Sequence, residues 1–133
     1  MIFRVTIAVV ALAAAVWLGV ELRASTAQDE MIGLAFQRGT PTKADLNQAQ
    51  RLQPRANTLN PDVRVDESIG VLQLRTGDRK AAIATFERLT GKEPRNAELW
   101  AALAQAAQGY DDALATRARE RARALAPAVK ALN

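Results

Sequence analysis

The chain of 133 residues contains no cysteine and no histidine. Those absences exclude thiol catalysis, disulfides, imidazole acid–base chemistry and the Cys/His sets that hold zinc. They leave the redox compartment open, because an exported protein can also lack cysteine. Also missing are a glycine-rich phosphate loop, a nucleophile elbow and any clustering of metal ligands along the sequence. The paired acids Asp111 and Asp112 stand where a helix would begin, so they read as caps for free amides rather than as a general acid and base. No catalytic residue, cofactor site or metal site is assigned, and the chain reads as a non-enzyme.

An excess of one sign of charge is likewise small. The net charge is +4, and the preference for arginine in an alanine-rich chain reads as codon usage rather than as a binding device. At this length the chain holds one domain at most beyond its N-terminal hydrophobic segment.

That segment is uncharged from Val5 to Val20. As a helix its sixteen residues rise roughly 24 Å, short of a ~30 Å hydrocarbon core, but Ile2, Phe3 and Leu22 extend it if Arg4 and Glu21 snorkel. A single transmembrane span over residues 2–22 is therefore expected, with Trp17 near its far end. The competing reading is a cleaved secretory signal, for which Ser25, Thr26 and Ala27 offer small residues. Glu21 and Arg23, lying between the run and that point, argue against it. Either reading sends the remainder across the membrane, so the expected location is a bacterial cytoplasmic membrane with the following region outside the cytoplasm.

Pro61, Pro94 and Pro127 stand 33 residues apart, and each of the two intervals holds two helix-like stretches. Gly77 permits a tight turn, Asp78 can cap the next helix, and Ala82, Ile83, Phe86 and Leu89 recur three to four apart on one face before Pro94 stops it. Upstream, Met31, Ile32, Leu34, Ala35 and Phe36 make an apolar face, Thr42 is placed to cap, and Ala44, Leu46, Ala49 and Leu52 continue a second helix. Downstream, Leu114, Ala118, Ala122, Leu125 and Val129 form one stripe with Arg117, Arg119, Arg121 and Arg123 largely off it.

This pattern resembles the tetratricopeptide repeat, a helix–turn–helix unit with a period near 34. The family places a small residue where Ala82 stands, an aromatic where Phe86 stands, a proline where Pro94 stands and a bulky residue where Trp100 opens the next unit. The resemblance assigns Val63 to Arg75 to the first helix of the best repeat, with Gly70 and Ile69 at packing positions. It departs from the family at Asp66, a usual Trp or Leu position, and at Gln73, a usual Tyr position. In the following unit Leu103 and Ala104 match, but Gly109 arrives early and Arg117 falls at the aromatic's place. Residues 111 to about 125 then read as a capping helix.

The fold expected is all-α: an N-terminal transmembrane helix over 1–24, then a short α-solenoid of about three antiparallel helix pairs. These are a degenerate pair at 28–60, a full repeat at 61–96, and a degenerate repeat with its capping helix at 97–127, followed by a tail at 128–133. The resemblance implies a scaffold for protein–protein contact, an accessory factor in envelope assembly or export. Its first helices would line a concave groove through Arg64, Glu67, Val71, Leu74 and Arg75, then Glu98, Ala101, Gln105 and Gln108. A partner peptide or helix is expected there. A chaperone-tail receptor is not, because Glu67 and Val71 occupy positions where the clamp of that branch needs Lys and Asn.

The arginines at 117, 119, 121 and 123 read first as a solvated cap face. The alternative function is an exported module whose basic cap meets anionic lipid or an acidic partner surface. Nucleic acid is not expected, since Glu120 interrupts the run and no aromatic is interleaved for stacking.

Overall fold

The computed structural model describes residues 2–57 and 63–126, with side chains from residue 14 onward. Six helices follow one another: α1 (Ile2–Phe36), α2 (Lys43–Ala56), α3 (Val63–Arg75), α4 (Arg79–Lys92), α5 (Ala97–Ala107) and α6 (Asp112–Leu125). No strand occurs among the described residues. Pro61, Pro127 and Val129 and the expected tail at 128–133 lie outside the described residues.

Four of the helices, α2, α4, α5 and α6, start where a side chain takes up orphan amides. Thr42 and Asp45 form a capping box: the Thr42 N–H donates to Asp45 Oδ2 at 2.6 Å and the Asp45 N–H to Thr42 Oγ1 at 3.3 Å. The Thr42 amide and hydroxyl, by bonding its ionised form, hold the Asp45 carboxyl below its ordinary value. Asp78 accepts from Ala81 N–H, Asn96 from Glu98 and Leu99 N–H, and Asp111 from Leu114 N–H. Asp112 takes the amide of Gly109 at 3.0 Å, so the two adjacent acids both close helix-end geometry. Gly77, at φ 86°, lets the Asp78 amide reach back to Gln73 O at 2.8 Å and end α3.

The helices pair as hairpins, α1 with α2, α3 with α4 and α5 with α6, and α3 touches both α1 and α5. The odd-numbered helices therefore lie side by side, an arrangement consistent with an α-solenoid. Met31, Ala35, Ala49, Val65 and Leu72 are buried where α1, α2 and α3 meet. Phe86, Leu89, Leu99, Leu103 and Ala118 are buried where α4, α5 and α6 meet. Val71 packs against both groups.

Both departures from the repeat pattern are resolved by polar pairing. Asp66 is 6 % exposed, and its carboxylate accepts from Gln53 Nε2 at 2.6 Å, Arg88 Nη1 at 2.7 Å and Lys92 Nζ at 3.4 Å. Burial pulls its pKa up, but hydrogen bonds from Arg88 and Gln53 and the charges of Arg88 and Lys92 outweigh that, so the net shift is downward. Gln73 Oε1 accepts from Thr85 Oγ1 at 2.8 Å inside the α3–α4 interface. Where the repeat pattern would place large apolar side chains, this chain joins α2, α3 and α4 through satisfied polar groups.

The N-terminal expectation is corrected. Among the described residues no helix is long and apolar enough to cross a membrane, which removes the transmembrane helix over 2–22. Its uncharged stretch is bounded by Arg4 and Glu21. α1 continues unbroken through residues 24–28 to Phe36. Ser25 and Thr26 do not interrupt it: their hydroxyls bond back to Leu22 O at 3.0 and 2.7 Å. Val16, Trp17, Leu18 and Leu22 are exposed, whereas Ala24, Ala27, Met31 and Ala35 on the later turns are buried. Residues 2–23 thus extend the first bundle helix.

Candidate functional site

The nine groove residues expected from the sequence divide into two groups. On α3, Val71 and Leu74 are half-buried and pack against the core. Arg75 is fully engaged within the chain: its guanidinium donates to the carbonyls of Ala35, Gln37 at 3.0 Å and Gly39 at 2.5 Å. Those carbonyls belong to the last turn of α1 and the loop after it, which lack helical donors of their own. Arg75 is thereby corrected from a partner contact to a clamp that fixes the end of α1 on α3. Arg64 is exposed and Glu67 half-buried on the same helix.

On α5 the four expected residues come together. Glu98, Ala101, Gln105 and Gln108 are exposed and line one open groove of about 500 Å³, with Ala97 and Ala104 beside them. The opposite wall is α6, which supplies Arg119, Ala122, Arg123 and Ala126. Asn96 caps the start of α5, and Arg79 Nη1 donates to Gln108 O at 2.6 Å, tying the far end of the same wall to α4. Five alanines line the groove, so a bound chain can approach the helix backbones closely. Two guanidinium groups on one wall face a wall of amides and one carboxylate.

The basic run does not form one outer face. Arg119 and Arg123 line the α5–α6 groove, while Arg117 and Arg121 line a separate recess with Trp100, Leu103 and Leu114. The register of the last unit is corrected with it. Matching the two caps, Asp78 and Asp111, puts α4 and α6 in register over their whole length. The residue at the place of Phe86 is then Arg119, which is half-buried, and not Arg117, which is exposed. Ala115 and Ala118, at the places of Ala82 and Thr85, are buried as those two are. The shared Asp caps were the signal in the sequence that would have found this register; the position of Gly109, reached through a turn of different length, misled.

Among the described residues no group of acids is placed to hold a metal ion. No protein-family model matches the chain, and no curated protein or solved structure matches it.

Proposed function

We propose that the chain is a protein-interaction module of the tetratricopeptide kind that holds its partner in the groove between α5 and α6. One observation carries this reading: Glu98, Ala101, Gln105 and Gln108, chosen from repeat position alone, line a single open groove together with Arg119 and Arg123. An alanine floor with a polar and charged rim suits a protein segment, since the floor admits close packing and the rim sets orientation.

The lipid alternative asks for a row of cations on one surface, and the division of the four arginines between two sides of α6 weighs against it. The test is Ala101→Trp, which fills the groove from an exposed position, where substitutions usually change stability by less than about 0.5 kcal/mol. It should abolish co-purification of the native partner while circular dichroism stays unchanged. Retained co-purification would overturn the groove as the contact surface.

A further inference from the structure

The shape of the groove carries more than its openness. Shifting α3 by 34 residues places Val63, Gly70, Val71 and Leu74 on Ala97, Ala104, Gln105 and Gln108. Three of those α3 residues, Val63, Val71 and Leu74, pack against the core formed by α4, α5 and α6. The corresponding α5 surface is the wall of the groove, with no further helix against it among the described residues. On the other wall, Arg119 stands where α4 carries Phe86, and Arg123 follows one turn later on the same face. Neither arginine has an ion-pair partner among the described residues.

We infer that the groove receives an amphipathic helix of another protein, docked as the next helix of the stack, with carboxylates along the flank that faces Arg119 and Arg123. This rests on the protein-interaction reading above and names the chemistry of the partner. The alanine floor and the polar Gln105 and Gln108, standing where α3 has Val71 and Leu74, set the other requirements. Small apolar residues belong on the face that meets α5. Glu98 on that wall disfavours acids on the second flank, so the orientation of the helix is specified by charge. Two arginines four residues apart match two carboxylates at the same helical spacing.

The experiment uses the full chain and two lactam-stapled, fluorescein-labelled helical peptides of identical alanine-rich face. One has glutamates at two flank positions four residues apart, and the other has lysines there. Fluorescence anisotropy should show the glutamate peptide binding at least about tenfold more tightly than its twin, with the gap narrowing as salt is raised. Arg119→Glu with Arg123→Glu should reverse the preference. Arg123→Glu alone, at an exposed position, should reduce it severalfold, which keeps the test decisive if the double variant fails to fold.

Equal binding of the twins, or no binding of either, overturns the inference. Binding that appears only after residues 127–133 are removed assigns the groove to the chain's own tail and overturns it too. If neither peptide binds but Ala101→Trp still abolishes co-purification of the native partner, the acid-flanked helix is wrong and the groove reading stands. If co-purification also survives, both are wrong.

Discussion

Gly70 and Phe86 should be energetically coupled, with a sign that ordinary cavity reasoning does not give. A Cβ added at Gly70 would lie 2.8 Å from Phe86 Cζ and 3.1 Å from both Cε atoms. Comfortable carbon–carbon separation is about 3.5–4.0 Å. The ring cannot swing away, since Phe86 is 0 % exposed between α3 and its neighbours. Gly70→Ala therefore overpacks the interface by about 1–3 kcal/mol, of which better helix propensity returns about 1 kcal/mol. The net expectation is a loss of about 0–2 kcal/mol. Phe86→Ala removes the whole ring and should cost about 3–5 kcal/mol.

In that second background the three crowding atoms no longer exist. Gly70→Ala should then stabilise by about 1 kcal/mol through propensity alone, and the added methyl occupies part of the vacated space. The double-mutant cycle should return a coupling of about 1–3 kcal/mol in favour of the pair. Urea denaturation followed by circular dichroism measures each corner. Phe86→Leu lacks the same three atoms and serves as the background if Phe86→Ala leaves too little folded protein. Additivity within about 0.3–0.5 kcal/mol would refute the reasoning, because it would mean that the ring does not lie over Gly70 and that the α3–α4 register is different.

Two further outcomes follow from polar groups. Asp66 has a lowered pKa in the folded chain, so its contribution is present above the ordinary value of 3.8 and is lost as pH falls through the lower folded value; Asp66→Asn should flatten the acid limb of a stability–pH profile. The difference should stay within about 1 kcal/mol, since Arg88 and Lys92 are 47 % and 54 % exposed and solvent screens them. Arg75→Ala should cost about 1–3 kcal/mol locally and speed amide hydrogen exchange in the last turns of α1 while leaving α5 and α6 protected, because it releases the Ala35, Gln37 and Gly39 carbonyls together. Loss of protection throughout the chain, or none anywhere, would contradict the clamp.

The parts of the fold legible in the sequence are those governed by local chemistry. Val63 to Arg75 was assigned as a helix and is α3; Thr42, Asp78 and Asp111 were assigned as caps and accept the expected amides. Phe86 falls on the apolar face expected of its helix, and it lies fully buried over Gly70. Caps and turns depend on residues within four positions of one another, so a single sequence contains both partners. The end of a hydrophobic run carries no comparable signal. Glu21 and Arg23 mark a change of composition, yet charged residues are good helix formers, and α1 passes through them without a break.

Arginine position was legible and arginine purpose was not. Repeat spacing puts Arg75 among the groove residues of α3, but a guanidinium on a long stem can reach either a partner or the chain's own carbonyls. Here the carbonyls lie 36 to 40 residues away in sequence. On α6 the spacing sets Arg117/Arg121 and Arg119/Arg123 in two rows, and both read from the sequence as a solvated cap. A helix turns 100° per residue, so residues two apart are thrown onto different sides, and Arg119 and Arg123 part from Arg117 and Arg121. The same geometry sets Arg119 at the place of Phe86, where a repeat followed by another would place an aromatic. An arginine there keeps its charge at the groove wall and asks for a carboxylate in return. That charge is what the carboxylates of the inferred partner helix would meet.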